Sequence, residues 1–190
     1  MYDIRKIQEQ VIFGVVKAAS NDETAAEIVY GMDGQASSEN DPAWVHSAMN
    51  RLENRFDKSQ VKHIRMNCQC GYGLGDKLAL LKELLETSSS MEEFADQDKA
   101  RAAGLSCSDG ELFLQFAFCP CPMLAEVERL ESDAWCQCTT GYSKVLFEKA
   151  FDCKVDVELM KSIKMGDSIC LQKITLHNYV WKQENRLHYL

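Results

Sequence analysis

Six of the nine cysteines in this chain lie in pairs separated by a single residue. These pairs are Cys68 with Cys70, Cys119 with Cys121, and Cys136 with Cys138. Side chains alternate along an extended backbone, so a spacing of two places both thiols of a pair on the same side. A single pair would mean little, because cysteine is among the most frequently buried residue types. Three pairs in 190 residues predict a thiolate site.

Zinc is the metal that best suits such thiols, because it takes four sulfur or nitrogen ligands in a tetrahedron. The two later pairs, fifteen residues apart, predict a closed clip, with Cys68 and Cys70 at or near the same place. An iron–sulfur cluster is the lesser alternative, since the usual ferredoxin spacings are missing. Two other interpretations remain open. In the first, one Cys-x-Cys pair cycles between a dithiol and a disulfide; in the second, the cysteines stay reduced and only pack in the core. In every case the two later pairs form the core of the predicted site.

Two residues are candidates for catalysis. Cys138 precedes a predicted helix, whose N-terminal N–H groups and dipole would stabilise a thiolate and lower the pKa of that thiol. The same argument applies to Cys70. His63 lies five residues before Cys68 and is the histidine best placed to act as a metal ligand or general base. The sequence therefore predicts His63 and Cys138 as the catalytic candidates.

The composition limits the classes of partner. A net charge of -8 and a pI near 5.0 argue against nucleic acid and against an anionic membrane surface, which both attract clustered Lys and Arg. A small-molecule ligand is expected, and a homodimer is possible. The N-terminus lacks the basic and apolar regions of a secretory signal, and no long apolar stretch occurs. We therefore predict a cytoplasmic protein whose thiols stay reduced.

Apolar residues recur at intervals of three and four in the first half of the chain, which is typical of amphipathic helices. Ser20 with Glu23 and Ser90 with Glu93 form capping-box signals, and Asp41 followed by Pro42 marks another helix start. The segment 34–40 is small and polar and reads as a loop. The predicted helices span residues 4–19, 20–31, 41–56, 74–85 and 90–104.

Strand patterns are confined to the second half. The turn signal at 108–110 is followed by an alternating strand at 112–118 that would deliver Cys119 and Cys121 at its end. A helix is predicted from about 140 to 151, and then a hairpin of strands at 154–160 and 169–176, with an edge strand possible in 177–190. Of the three isolated cysteines, Cys107, Cys153 and Cys170, the last reads as a core residue.

These elements predict one α+β domain over residues 1–190. Residues 1–105 are mostly helical, and residues 106–190 hold strands with one crossing helix. The helical N-terminal half packs on an antiparallel β-sheet formed mainly by the C-terminal half. The domain is cysteine-rich.

The C-terminal third resembles a known group of proteins. Its run from Cys136 to Tyr142, the strand from Val155 and the segment from Ser162 to Cys170 are similar to bacterial and archaeal proteins related to L-2-amino-thiazoline-4-carboxylic acid hydrolase. The layout also resembles vinyl-4-reductase-type small-molecule-binding domains. This resemblance implies an α+β fold with cysteines that bind zinc and a ligand pocket between helices and sheet. In the hydrolase branch it implies hydrolysis of a small thiazoline or cyclic amide-like substrate.

Overall fold

The computed structural model describes residues 3–32 and 38–181 and confirms the α+β class. Helices dominate the first half and recur once in the second. Over the described ranges, no helix combines the length and the apolar character that crossing a membrane requires. The helices are α1 (Ile4–Ala19), α2 (Asp22–Tyr30), α3 (Asp41–Arg55), α4 (Lys58–Met66), α5 (Leu74–Glu86), α6 (Met91–Asp96), α7 (Asp98–Ala102) and α8 (Gln137–Phe151).

The sheet is antiparallel, with strand order β1-β2-β4-β3. The predicted C-terminal hairpin is confirmed, because β3 and β4 pair directly with Val155, Val157 and Ile174 buried on one face. β2 ends opposite Cys170 at Phe116, earlier than predicted, so the second cysteine pair follows in a loop. The strands are β1 (Leu105–Ser108), β2 (Glu111–Phe116), β3 (Val155–Lys161) and β4 (Cys170–Leu176).

Helix α4 is absent from the sequence prediction. It begins at a capping box in which the Asp57 side chain accepts from the Gln60 backbone N–H and the Gln60 side chain accepts from the Asp57 N–H. Its buried face carries Val61, Ile64 and Arg65. This helix matters for function because it places a buried arginine and Cys68 at the centre of the fold.

Several predicted boundaries are wrong by a few residues. Asn21, not Ser20, caps α2, because its side chain accepts from the N–H of Thr24. The fifth predicted helix is two helices, α6 and α7, separated at Gln97, whose backbone is extended. The short strand β1 was not predicted. Residues 177–181 form no strand, and 1–2, 33–37 and 182–190 lie outside the described residues.

The core has two parts. The first is formed by α1 to α4 with residues 123–136, and Trp44 meets Trp135 there edge-on at 5.7 Å between ring centroids. The second is formed by α5 to α7, the sheet and α8, and centres on aromatic side chains such as Phe94 and Phe151. Because α8 packs on α4, α5 and β3, it connects the two parts.

Helices α4 and α8 approach so closely that only glycine fits at position 141. A Cβ atom on Gly141 would lie 1.8 Å from the carbonyl oxygen of Met66. Gly141 follows Cys138 by three residues, and Met66 precedes Cys68 by two. The glycine therefore allows two distant cysteine pairs to meet at one place.

Candidate functional site

Seven of the nine cysteines form one continuous group, which we call the thiol cluster. It contains the three sequence-predicted pairs and one further residue, and each member is an electrostatic or hydrogen-bonding neighbour of another. Cys107 and Cys153 lie apart, against the second part of the core. No disulfide joins any of the nine in the described parts of the chain. The members of the cluster are Cys68, Cys70, Cys119, Cys121, Cys136, Cys138 and Cys170.

Separate elements bring the cluster together. Cys68 follows α4, Cys70 precedes α5, and the second pair lies in the loop after β2. The third pair is at the start of α8, where Cys136 is the N-cap residue. The Cys138 thiol donates to the carbonyl oxygen of Cys68 at 3.0 Å, across seventy residues of sequence. The prediction that the three pairs share one neighbourhood is therefore consistent with their arrangement.

Arg65 lies at the centre of the cluster and is fully buried. Its guanidinium carbon stands 4.4 Å from the centre of the Trp135 ring, and Nη2 donates to the Trp135 carbonyl oxygen at 3.4 Å. Within the described residues no carboxylate pairs with it, and its Nε and Nη1 atoms make no hydrogen bond of ordinary geometry, although the guanidinium makes a looser hydrogen-bonding contact with the Cys68 thiol. A buried cation without an anion is costly, so this site favours negative charge nearby.

The groups that face Arg65 are thiols. Its positive charge acts on Cys68, Cys121 and Cys138 and favours the thiolate form of each. The indole N–H of Trp135 is also directed at the Cys121 sulfur and has no other acceptor in the described parts of the chain. The Arg65 guanidinium and the Trp135 indole N–H are therefore both directed at sulfur atoms that could carry negative charge.

Burial nevertheless keeps four thiols of the cluster neutral in this arrangement. It raises the pKa of Cys138 to about 12 and that of Cys136 to about 11, and it also raises the pKa values of Cys68 and Cys121. The prediction of a low pKa for Cys138 is therefore wrong. The residue lies inside the first turn of α8, not ahead of it, and the loss of hydration outweighs the helix dipole and Arg65.

Cys170 is a member of the cluster that the sequence prediction assigned only to the core. The Cys119 thiol donates a hydrogen bond to the Cys170 sulfur, which lowers the pKa of Cys170 to about 6 and raises that of Cys119. Ser162 also hydrogen-bonds Cys170, and it lies 3.3 Å from the Cys136 sulfur. No signal in the sequence indicates this pairing, because it depends on the register of β2 against β4.

The cluster supplies the right donors for zinc without presenting a finished coordination shell. Across the described residues, no three Cys, His, Asp or Glu side chains are arranged as a metal site. Yet the donor set is rich in sulfur, and the orphaned N–H groups of Arg65 suit an anionic metal–thiolate centre. Side-chain rotations within the cluster would be needed to bring four sulfur atoms to one point.

A cavity of about 540 Å³ adjoins the cluster between α5, α8 and the β1–β2 hairpin. Three thiols line it, those of Cys70, Cys121 and Cys138. Gln8 also lines it and donates to the carbonyl oxygen of Cys68 at 3.4 Å. Most of the wall is apolar, formed by side chains such as Leu81, Leu105, Leu114, Met123, Leu146 and Phe147.

Two of the described histidines, His63 and His177, are less closely associated with the cluster. His63 is exposed on α4, two residues from the buried Arg65, and it is not among the residues that line the cavity. His177 Nε2 lies within hydrogen-bonding distance of an Asp156 carboxylate oxygen, at 2.7 Å. The roles predicted for His63 and Cys138 in catalysis remain predictions, as does the hydrolase activity.

Comparison with known proteins identifies the family. No curated protein and no solved structure matches the chain. The resemblance to thiazoline hydrolases and vinyl-4-reductase domains therefore remains a prediction from sequence. One family model, described as a family of unknown function (DUF6144), matches residues 1–181. Since this match spans nearly the whole chain, the protein belongs to the DUF6144 family.

Proposed function

We propose that the protein is a cytoplasmic zinc-binding domain that holds a small molecule next to its metal centre. The metal ligands are drawn from Cys119, Cys121, Cys136 and Cys138, with Cys68 and Cys70 within reach. The observation that carries this proposal is the fully buried Arg65, whose positive charge has no carboxylate partner among the described residues and faces thiols instead. Four zinc-bound thiolates would carry a net charge of about −2, which would more than offset the single positive charge of the guanidinium.

Metal binding is compatible with the raised thiol pKa values, which burial causes. Cys121, Cys136 and Cys138 are not thiolates on their own near neutral pH, but zinc binds the deprotonated form and displaces the proton. The nearby guanidinium then stabilises a charge that the apolar surroundings would otherwise reject. Three of the thiols also line the cavity, which supports a ligand in direct contact with the metal centre.

Replacing Cys138 with serine tests the ligand assignment. Cys138→Ser is expected to weaken zinc binding by more than about 100-fold, because the ligand is lost from the centre of the cluster. Cys107→Ser is the matched control, since that thiol lies on β1 away from the cluster. Zinc affinity is measured by competition with a chromophoric chelator. Equal affinities for the two variants would remove Cys138 from the site.

Thiol–disulfide exchange is a second candidate function, favoured by the contact between Cys119 and Cys170. Here the Cys170 thiolate would attack an external disulfide such as oxidised glutathione and release one glutathione thiolate. The Cys119 thiol then loses its proton, attacks the mixed disulfide and releases the second glutathione. The protein gains one disulfide and the glutathione disulfide is reduced, so atoms and electrons balance.

This redox function predicts one specific disulfide. Treatment of zinc-free protein with oxidised glutathione is expected to link Cys119 to Cys170 and to consume two of the nine thiols. Peptide mapping under non-reducing conditions identifies the link. Cys170→Ser should abolish it, whereas Cys153→Ser should leave it intact because Cys153 lies outside the cluster. A link within a Cys-x-Cys pair, or no link, would rule out exchange through Cys119 and Cys170.

A further inference from the structure

The cavity beside the thiol cluster is suited to an apolar molecule. Its volume of about 540 Å³ lies within the range of about 300 to 1,000 Å³ that is typical of small-molecule sites. Leucine and phenylalanine side chains from α5, α8 and the β1–β2 hairpin form most of the wall. Tyr72 and Phe118 also line it and are 58% and 66% exposed, so part of the lining is open to solvent. Exposed aromatic side chains on such a cavity mark a binding surface.

The charge of the cavity is opposite to that of the protein. The chain carries a net charge of -8, yet among the described residues that line the cavity there is no Asp or Glu. The charged lining residues are Lys77 and Arg101. A cavity with an apolar wall and only positive charged side chains is complementary to an apolar anion.

Lys77 is the cation available to such an anion. Arg101 already pairs with Asp96 and Asp98. Lys77 instead places its Nζ 4.8 Å from the centre of the Tyr142 ring, and in the described part of the chain it has no carboxylate partner. The Tyr142 hydroxyl donates to the Tyr72 carbonyl oxygen at 2.9 Å, which fixes the ring beneath the lysine. The ammonium group is therefore held at the cavity and remains open to a ligand.

We propose that the cavity binds an apolar organic acid, with the carboxylate at Lys77 and the hydrocarbon body between α5, α8 and the β1–β2 hairpin. This assignment rests on the proposed function and specifies the chemical class of its ligand. It uses a lysine that the sequence does not single out. The hydrocarbon body would lie next to Cys121 and Cys138, so that the ligand reaches the thiol cluster from its apolar side.

Three compounds with the same skeleton test the charge preference. Isothermal titration is carried out with 4-phenylbutyrate, 4-phenylbutanol and 4-phenylbutylamine. The acid is expected to bind most tightly and the amine most weakly. Leu80→Glu, which places a carboxylate on the half-buried wall, should abolish binding of the acid. Equal binding of the acid and the alcohol, tighter binding of the amine, or no binding of any compound would overturn the proposal.

Two lysine variants on the same helix locate the carboxylate. Lys77→Met is expected to weaken binding of the acid about fivefold and to leave the alcohol unchanged, a modest effect because the lysine is exposed. Lys82→Met is the matched control, since Lys82 is also exposed on α5 and does not line the cavity. Equal effects of the two variants would contradict the assignment.

Zinc content, measured on the same samples, separates this inference from the proposed function. Zinc-loaded protein that binds no acid would overturn the ligand class alone. Selective binding of the acid by protein that takes up no zinc would overturn the metal centre alone.

Discussion

Replacing Gly141 with alanine is expected to destabilise the protein by about 3 kcal/mol and to separate two of the cysteine pairs. The added methyl group would lie 1.8 Å from the Met66 carbonyl oxygen, and a backbone oxygen cannot move aside as a flexible side chain can. Helix α8 would have to shift away from α4, which would carry Cys138 away from Cys68. Urea denaturation measures the loss of stability, and zinc titration measures the effect on the site.

Gly14→Ala is the matched control for this variant. Gly14 lies in the interior of α1, and a Cβ atom there would meet nothing within 4 Å. Alanine at an open helical position is expected to stabilise the protein by up to about 1 kcal/mol. A similar free energy of unfolding for both variants would show that α4 and α8 do not approach as closely as described.

Replacing Arg65 with methionine is expected to weaken zinc binding by about 100-fold with little change in the stability of zinc-free protein. The guanidinium balances the negative charge of a metal–thiolate centre, so its loss affects the metal-bound state most. In zinc-free protein the substitution removes a costly buried charge, which stabilises the fold, and it also removes the stacking of the guanidinium on Trp135, which destabilises the fold. These two effects on the free energy of unfolding oppose each other. Zinc affinity and thermal unfolding of zinc-free protein are measured in parallel.

Arg51→Met serves as the control for Arg65. Arg51 is partly buried, and its Nε donates to the Ile28 carbonyl oxygen at 2.9 Å, but it acts on none of the cysteines whose pKa shifts are resolved. Its substitution should leave zinc affinity unchanged. If Arg65→Met binds zinc as tightly as the unchanged protein, the buried guanidinium is not the counter-charge of a metal centre.

Local sequence signals were sufficient for the fold class and for several elements. The apolar stripe of α1, the Asp41–Pro42 helix start and the alternation of Val155 and Val157 each depend on neighbouring residues, and each is confirmed. The Asp57–Gln60 capping box is an equally local signal for α4 and was overlooked. Recognising it would have placed Arg65 on the buried face of a helix.

The arrangement of the site depends on contacts that no local pattern encodes. Cys170 joins the thiol cluster because β4 lies beside β2 in a particular register, and Cys68 meets Cys138 because a glycine in α8 permits a close helix crossing. The lowered pKa predicted for Cys138 is wrong because it too ignores tertiary contacts. The sequence indicated a nearby helix N-terminus but not the burial that outweighs it.

The metal content of the protein, purified without chelators, tests the central claim most directly. Elemental analysis by mass spectrometry is expected to find about one zinc ion per chain, bound with the release of protons from the cysteine thiols. A content below about a tenth of an equivalent of any transition metal, in protein that also fails to take up added zinc, would contradict the proposed metal centre.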